Sequence, residues 1–326
     1  MIAREECQAA CGYHPVEAGW YLAQMGFFAV VVPTLNAAAD WPLFAPALLQ
    51  NVRPEDVLIL DSSSTDGTVD LAKAAGFQVH SIQRADFNHG GTRQLAVDLL
   101  PHADILVYLT QDAILADSKD IETLLTAFID PDVVAAYGRQ LPRQGAGPIE
   151  SHARSFNYPA LSDVRTLKMR DSLGVKTIFI SNSFAAYRRS ALKEVGGFPS
   201  NTIFGEDTIV AAKLLLAHQK VAYVAEAQVY HSHPYTWMQE FRRYFDIGVL
   251  HSRERWLQED FGKAGNEGKR FVLSELKYLW PRHMWLIPST IVRTCLKLIG
   301  YRLGKAEHRL SPAWKRRISM HSSFWQ

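Results

Sequence analysis

Residues 57–68, with the sequence VLILDSSSTDGT, place small polar residues directly after a continuous apolar segment. The apolar segment at 57–60 is typical of a strand that is buried on both faces, as in a parallel sheet. Asp61 then falls at the carboxyl end of that strand, where open α/β sheets bind their ligands. An Asx turn or a helix cap is the structural alternative for this aspartate. The stretch therefore predicts an α/β fold with a candidate ligand site at one edge of its sheet.

Strand-like and helix-like segments alternate on both sides of this stretch, which indicates a mostly parallel sheet flanked by helices. The polar, glycine-containing segment 139–148 predicts a loop, at which the regular alternation ends. We expect Ser190 to cap a short helix, and Glu206 with Asp207 to open the next one. The predicted strands are 27–32, 57–60, 77–82, 105–110, 133–137, 177–187 with a break at 181–183, 221–224 and 228–230; the predicted helices are 41–49, 69–75, 91–100, 121–129, 208–217 and 237–257.

The composition is that of a globular protein and excludes a disordered or collagen-like chain, since 48% of the 326 residues are hydrophobic and 21% are charged. The cysteines, Cys7, Cys11 and Cys295, lack the spacing of a zinc site or a disulfide scaffold, and they predict a reducing, cytoplasmic location. The apolar segment 20–32 is interrupted by Gln24 and stopped by Pro33. We therefore expect neither a secretory signal nor a membrane span there.

The formal charge of +2 conceals an asymmetry along the chain. Residues 1–240 contain 18 Lys and Arg against 26 Asp and Glu, whereas residues 241–326 contain 17 against 7. We predict an N-terminal extension at 1–25, a catalytic domain at 26–240 and a basic, aromatic, helical C-terminal region at 241–326. Tryptophans at 280, 285, 314 and 325, set among basic residues, favour an anionic membrane surface as the partner of residues 277–326. A solvated helical cap is the structural alternative.

Acidic and imidazole side chains recur where predicted strands and loops end. Asp112 follows the strand at 105–110, Glu206 and Asp207 begin a helix, and His231 and His233 follow the last strand. Groups gathered in this way can hold a divalent cation over phosphates and supply a general base. The oxygen-rich surroundings favour Mg²⁺ or Mn²⁺ over Zn²⁺. Compensation of the helix dipole is the structural alternative for the two adjacent acids.

Several of these motifs together resemble the family 2 glycosyltransferases with the GT-A fold. The segments VVPTLN at 31–36 and DSSSTDGT at 61–68 carry the resemblance, which covers residues 26–250. The segments FNHGGTR at 87–93, TQD at 110–112, GED at 205–207 and YHSH at 230–233 look like the rhamnosyltransferase branch, of the O-antigen and lipopolysaccharide type. The resemblance implies a Rossmann-like, nucleotide-sugar-binding mixed sheet flanked by helices, with a helical C-terminal extension.

The resemblance also implies roles for individual residues. Asp207 would be the general base of an inverting transfer, and Glu206 would orient the acceptor or support the base. Asp112 would bind the metal ion at the donor's diphosphate, and Asp61 would hydrogen-bond the nucleotide base. The other residues expected around the donor are Pro33, Thr34, Asn36, Ser63, Asp66, Arg93 and Gln111.

The sequence departs from the family pattern at the metal motif. The common Asp-x-Asp motif is here Thr110-Gln111-Asp112 and lacks its first acid. A further protein ligand for Mg²⁺ or Mn²⁺ is then required. We expect this ligand to be His231, with His233 behind it.

These observations predict an inverting glycosyltransferase that moves rhamnose, from dTDP-β-L-rhamnose, to a hydroxyl of a lipid-linked or lipopolysaccharide glycan. We expect it in the cytoplasm, at the inner face of the cytoplasmic membrane. The same fold acting on another nucleotide sugar, such as a UDP-hexose, is the first alternative. A non-catalytic nucleic-acid-binding or membrane-binding protein is the second, and the negative charge of residues 1–240 argues against nucleic acid. A catalytically silent scaffold is the third, suggested by the incomplete metal motif.

Overall fold

The computed structural model describes residues 26–262 and 267–325, so the predicted N-terminal extension at 1–25, with Cys7 and Cys11, lies outside the described residues. Within the described ranges, nine strands form one mixed sheet in the order β3-β2-β1-β4-β8-β6-β9-β5, and β7 pairs with β9. Two apolar clusters lie on opposite faces of this sheet and are covered by helices. The α/β prediction is confirmed. The strands are β1 (Phe28–Thr34), β2 (Val57–Asp61), β3 (Gln78–Ser81), β4 (Ile105–Leu109), β5 (Ile114–Leu115), β6 (Val133–Leu141), β7 (Asp163–Arg165), β8 (Phe184–Arg188) and β9 (Lys220–Tyr230).

The helices fall into two sets, one that flanks the sheet and one that follows it. The helices between the strands are α1 (Trp41–Leu49), α2 (Thr68–Ala74), α3 (His89–Leu99), α4 (Asp120–Leu125), α5 (Pro148–Asn157), α6 (Arg170–Leu173), α7 (Arg189–Glu194) and α8 (Glu206–Leu216). The helices after the last strand are α9 (Trp237–Arg253), α10 (Trp256–Phe261), α11 (Glu267–Leu279), α12 (Ile287–Lys305) and α13 (Pro312–Ile318). The division of the chain at residue 240 stays a prediction.

The parallel half of the sheet, β3-β2-β1-β4, brings the polar loops to one edge. All five residues of β2 are buried, in keeping with its continuous apolar sequence. In the register of β1 with β2, Thr34 pairs with Asp61. The two strands therefore end side by side, and the loops after them start from the same edge of the sheet.

Strands β6 and β9 are both longer than the sequence predicts. β6 continues to Leu141, so residues 139–141 belong to a strand and not to the predicted loop. β9 is one strand rather than the two predicted at 221–224 and 228–230. The loop prediction is wrong for residues 139–141 because polar side chains there were expected to be solvated. Gln140 is instead buried in the candidate site.

A bulge joins the two predicted halves of β9. Gly138 of β6 pairs with Val224, and the next residue, Arg139, pairs with Gln228. Residues 225–227 are therefore extra on the β9 side. Gly138 permits this arrangement, since a Cβ there would stand 2.7 Å from the carbonyl oxygen of Ala227.

The strand predicted at 177–187 begins later than expected. Gly174–Ile178 forms a 3-10 helix, and β8 starts only at Phe184. The guanidinium of Arg165 donates to the carbonyl oxygens of Lys176 and Phe179, both at 2.8 Å. The Lys176 carbonyl also accepts from the backbone N–H of Phe179 at 3.2 Å, so this segment is bonded as a tight turn and not as part of a ladder.

One of the two predicted helix starts is wrong. Ser190 does not cap α7, because that helix begins at Arg189 and has no side-chain cap. Glu206 and Asp207 do open α8, directly after Gly205 in a left-handed conformation with φ of 77°. This second start positions both acids in the first turn of the helix.

Helices α9 and α12 run parallel and contact each other along their backbones. A Cβ at Gly300 would stand 2.4 Å from the carbonyl oxygen of Phe241, and a Cβ at Gly304 would stand 2.0 Å from that of Phe245. A side chain at either position would force the helices apart. The two glycines therefore fix which face of α12 lies against α9.

The tryptophans of the C-terminal region do not share one environment. Trp280, Trp285 and Trp314 are exposed. Trp325 is buried, with its ring 6.3 Å from that of Phe245, so its predicted place at a membrane surface is wrong. Within the described residues, no helix combines the length and the apolar character that crossing a bilayer requires.

We expect Gly304→Ala to lower the free energy of unfolding by about 2 kcal/mol, since the added methyl group overpacks a helix contact. Gly268→Ala in α11 is the matched control, because a Cβ at Gly268 meets nothing within 4 Å. The control should be neutral or slightly stabilising. Urea denaturation followed by tryptophan fluorescence compares the two variants. Equal stabilities would show that the close helix contact is not required.

Candidate functional site

Asp61 lies buried at the junction of β1 and β2, and its carboxylate is fully engaged. Its Oδ1 accepts from the hydroxyls of Thr34 at 3.1 Å and Ser64 at 2.5 Å, and its Oδ2 accepts from the Ser64 backbone N–H at 2.9 Å. The bond to the Ser64 N–H spans three residues and not the two of an Asx turn, so the carboxylate fixes the loop after β2 in another way. A direct contact of Asp61 with a nucleotide base stays a prediction.

Other polar residues at this edge of the sheet form hydrogen bonds between the loop after β1 and the loop after β2. Asn36, in a left-handed conformation with φ of 51°, accepts at Oδ1 from the backbone N–H of Thr65 at 2.9 Å. Asp66 accepts from the backbone N–H of Ala38 at 2.9 Å, and its hydrogen bond with Thr68 holds the pKa of Asp66 below its ordinary value. The predicted donor-site residues thus form a rigid edge beside the end of β1.

Three further predicted donor-site residues lie at the same edge. Pro33 occupies the second-last position of β1, opposite Leu60. The Gln111 amide bonds both backbone groups of Leu35, donating to its carbonyl oxygen at 3.1 Å and accepting from its N–H at 2.7 Å. Ser63 donates to the carbonyl oxygen of Ile82 at 2.8 Å. Gln111 therefore braces the loop after β1 against the end of β4.

Asp112, His231 and His233 come together in one cluster, as the sequence predicts. Asp112 Oδ2 lies 3.3 Å from His231 Nε2 and 3.4 Å from His233 Nε2, and the two imidazole nitrogens are 3.1 Å apart. One ligand atom from each residue lies within 4.8 Å of the other two. Chain segments after β4 and after β9 supply the three side chains. The cluster can hold a cation, because three potential ligand atoms converge on one point.

Gln140 determines which nitrogen of His231 carries the proton. Arg154 donates to Gln140 Oε1 at 2.5 Å, so this atom must be the amide oxygen. The same oxygen lies 2.9 Å from His231 Nδ1, and Nδ1 must then be the protonated nitrogen. Nε2 is then the nitrogen that can lose its proton, and its lone pair would face Asp112 and His233. Neither Gln140 nor Arg154 is identifiable as a site residue from the sequence alone.

The protonation states of the cluster suit a cation. Burial, together with the neighbouring His231, lowers the pKa of His233 to about 4. Burial raises the pKa of Asp112, but the hydrogen bond and charge of His231 outweigh it and hold that pKa well below its ordinary value. At neutral pH, His233 is neutral and Asp112 is ionised, which are the forms that bind metals.

Glu206 forms a buried ion pair with Arg93. The guanidinium lies 3.0 Å from Glu206 Oε1 and also donates to the carbonyl oxygen of His89 at 2.9 Å. The Asn182 amide donates to the same carboxylate oxygen of Glu206 at 3.1 Å. Burial raises the pKa of Glu206, yet the charge of Arg93 outweighs it and the pKa is lowered. A donor contact for Arg93 stays a prediction; the structure shows its guanidinium bound to Glu206.

Asp207, the neighbour of Glu206, has the opposite pKa shift. Its carboxylate accepts from the backbone N–H groups of Asn182 at 3.2 Å and Thr208 at 2.7 Å. Burial and then the negative charge of Glu206 raise the pKa of Asp207 to about 6. Such a carboxylate is ionised at neutral pH and takes a proton more readily than an ordinary aspartate. Asp207 has the properties of a general base.

The segment 181–183 joins the cluster to the two acids. Gln140 Nε2 donates to the hydroxyl of Ser181 at 2.9 Å, and the backbone N–H of the next residue, Asn182, donates to Asp207. Tyr187 fixes the Asn182 amide by donating to its oxygen at 2.7 Å. From the sequence, this segment is predicted only as a break in a strand. Three polar residues inside an apolar segment were the available signal for a site.

Comparisons with known proteins agree with the resemblance. The family model described as Glycosyl transferase family 2 matches residues 29–196. The O-antigen chain rhamnosyltransferase RfbN of Salmonella typhimurium is 47% identical over 298 residues, which are 91% of this chain and 95% of that protein. The O-antigen chain rhamnosyltransferase WbaN of Salmonella anatum is 45% identical over 303 residues, which are 92% of this chain and 96% of that protein.

A solved structure supports the fold. The mannosyltransferase PcManGT from Pyrobaculum calidifontis, in complex with GDP-Man and Mn²⁺, matches with a TM-score of 0.53 and 17% identity over 99% of this chain and 95% of that chain. At this identity the likeness shows the fold alone. The predicted GT-A fold with a helical C-terminal region is confirmed.

We expect Glu206→Gln to lower the free energy of unfolding by about 3 kcal/mol, because it leaves the buried Arg93 guanidinium without its counter-charge. Glu55→Gln is the matched control, since Glu55 forms an exposed ion pair with Arg53 and should change stability by less than about 1 kcal/mol. Chemical denaturation at pH 7 measures both. A Glu206→Gln variant as stable as the control would contradict the structural importance of the buried pair.

Proposed function

The chain belongs to glycosyl transferase family 2, and on this premise we propose that it transfers rhamnose from dTDP-β-L-rhamnose to a hydroxyl of a lipid-linked or lipopolysaccharide glycan. The observation that carries the proposal is the 47% identity, over 91% of the chain, to an O-antigen chain rhamnosyltransferase. The geometry of the site supports it, because a candidate base lies beside a cluster that can hold a cation.

In the proposed reaction, Asp207 is the general base. The acceptor hydroxyl gives its proton to the Asp207 carboxylate while its oxygen bonds to the anomeric carbon of the donor. The bond from that carbon to the diphosphate oxygen breaks on the opposite face, so a β-linked donor yields an α-linked product. Glu206 is held by Arg93 and Asn182, and its charge keeps the pKa of Asp207 raised. In this proposal, Glu206 supports the base and does not take the proton.

Asp112, His231 and His233 are the proposed ligands of Mn²⁺ or Mg²⁺. Each of the three residues offers one ligand atom at the same point, and the bond of Gln140 to Nδ1 of His231 leaves Nε2 as the ligand nitrogen of that ring. Two imidazoles and one carboxylate favour Mn²⁺ over Mg²⁺, which prefers oxygen ligands. When bound, the ion would neutralise charge on the departing diphosphate. The two histidines replace the missing first acid of the Asp-x-Asp motif.

The edge around Asp61 is the proposed binding site for the nucleotide. Thr34 and Ser64 orient the Asp61 carboxylate, and Gln111 holds the loop that follows β1. In this proposal Pro33, Asn36, Ser63 and Asp66 shape the edge, largely through the bonds that fix the loops. The interactions of Arg93 favour a role behind Glu206 over a direct donor contact.

A lipid-linked acceptor would lie at the cytoplasmic face of a membrane. The proposal therefore includes an anionic membrane surface as the partner of residues 277–326. The basic composition of this region and the exposure of Trp280, Trp285 and Trp314 support it.

The pH dependence tests the role of Asp207. Because its pKa is raised to about 6, the base is ionised above that pH and protonated below it. We expect kcat/KM for rhamnosyl transfer to fall about tenfold for each pH unit below 6. Asp207→Asn should lower transfer at least about 100-fold and leave dTDP binding nearly intact. The exposed Asp70→Asn is the control and should retain wild-type transfer. Full activity of Asp207→Asn would refute the assignment of the base.

A thermal-shift series with dTDP, UDP and GDP, each with and without Mn²⁺ or Mg²⁺, tests the donor, since a ligand that binds the native state raises its melting temperature. We expect the largest shift with dTDP and Mn²⁺. A larger shift with UDP or GDP would identify a different donor nucleotide.

Gln140→Leu tests the cluster by a readout that is independent of activity. Without the amide oxygen, the His231 ring loses the bond that orients its lone pair, so we expect Mn²⁺ to bind about 10-fold to 100-fold more weakly in calorimetric titration with dTDP present. Gln78→Leu, at an exposed glutamine of β3, is the control and should bind Mn²⁺ normally. Unchanged Mn²⁺ affinity in Gln140→Leu would show that the amide does not position the ligand.

A further inference from the structure

From Ile287 to Ile299, helix α12 turns its charged residues toward the protein and apolar residues away from it. On the inner face, Arg293 and Lys297 form ion pairs with the buried Glu240 of α9, at 2.6 and 3.1 Å. This arrangement is the reverse of an ordinary surface helix, in which the apolar face packs on the core.

The outer face of α12 is a continuous apolar stripe, which we call the α12 stripe. It consists of Ile291, Val292, Cys295, Leu298 and Ile299, all of them exposed. Ile291, Leu298 and Ile299 are 55%, 49% and 50% exposed, respectively. Their spacing of three, four and seven residues places them on one side of the helix. Gly300 and Gly304 hold the opposite side against α9, so the stripe cannot turn inward.

The segment that leads into α12 extends this surface with aromatic side chains. Trp280 and Trp285 are 60% and 70% exposed, and Met284 is also exposed. Between residues 276 and 306 the sequence contains six Lys and Arg and no Asp or Glu. An exposed apolar stripe with flanking tryptophans and uniformly positive charge is typical of helices that lie in a membrane interface.

We propose that α12 lies along the surface of an anionic bilayer, with the α12 stripe inserted at the level of the lipid headgroups. The charge favours lipid over a second copy of this chain. Glu240 compensates Arg293 and Lys297, but Lys277, Arg282, Arg302 and Lys305 form no ion pair within the described residues. A symmetric pair formed through the stripe would therefore bring like charges of two chains together. Anionic headgroups instead attract the basic residues, including Arg282 and Arg302, which are exposed beside the stripe.

Helix α12 is also bonded to the chain that follows the histidine cluster. Arg293 donates to the carbonyl oxygen of Tyr235 at 2.8 Å, and Trp237 donates to the hydroxyl of Ser289 at 3.1 Å. Tyr235 lies two residues after His233. Docking of α12 would thus hold the edge of the site near the lipid surface. That this position would help the site to reach a lipid-linked acceptor rests on the proposed function. The binding of α12 to lipid does not rest on it.

Co-sedimentation of the full chain with vesicles tests the proposal. We expect binding to vesicles that contain phosphatidylglycerol, much weaker binding to pure phosphatidylcholine, and weakening by added salt. The double variant Leu298→Gln/Ile299→Gln should bind at least about tenfold more weakly. The matched control is Leu43→Gln/Leu161→Gln, which changes two residues that are 65% and 71% exposed and lie outside the C-terminal helices. This control should bind vesicles as the wild type does.

Cys295 supplies a second readout, because its thiol is exposed on the α12 stripe. In a Cys7→Ser/Cys11→Ser background, an environment-sensitive fluorophore on Cys295 should shift to shorter wavelength with anionic vesicles. Failure of the wild type to bind these vesicles, or equal binding by both double variants, would overturn the proposal. The proposal would also be overturned if the only effect of Leu298→Gln/Ile299→Gln were the loss of a dimer, measured by light scattering. The dTDP thermal shift of each variant tests the proposed function separately, since nucleotide binding needs no lipid.

Discussion

The side-chain amide of Gln140 has only one possible orientation, because the guanidinium of Arg154 can donate but never accept. The amide oxygen must face Arg154 and His231, and the amide nitrogen must face Ser181. An arginine on α5 thereby determines both the tautomer of a cluster histidine and the position of the chain beside Asp207. The cluster and the acid pair are held by one hydrogen-bond network, so neither can be repositioned alone.

The two adjacent acids at the start of α8 show how environment separates chemically similar groups. Arg93 compensates Glu206 and lowers its pKa, while the uncompensated charge of Glu206 helps to raise the pKa of Asp207. One acid is therefore fixed as an anion and the other is left able to take up a proton. A buried pair that is usually regarded as structural thus adjusts the chemistry of its neighbour.

The sequence predicts well what depends on local patterns. The apolar segment before Asp61 predicts a buried strand, and the polar residues after strands predict the convergence of Asp112 with His231 and His233. It fails where distant residues decide the local structure. Arg165 binds the carbonyl oxygen of Phe179 inside a predicted strand and that of Lys176 just before it, and no pattern within 177–187 indicates this. Gln140 looks like a loop residue because its partners, Arg154, Ser181 and His231, are brought together only by the folded chain.

The bulge in β9 separates the length of the chain from the face on which the histidines lie. Three residues, 225–227, are extra relative to β6, and pairing resumes at Gln228. Val224 and Val229 pack in the same apolar cluster although five residues separate them, so strict alternation of faces does not run through the bulge. The face of His231 is therefore set by the renewed pairing of residues 228–230 with residues 139–141. A change of chain length at the exposed Glu226 would be absorbed by the bulge and would leave the imidazole beside Asp112.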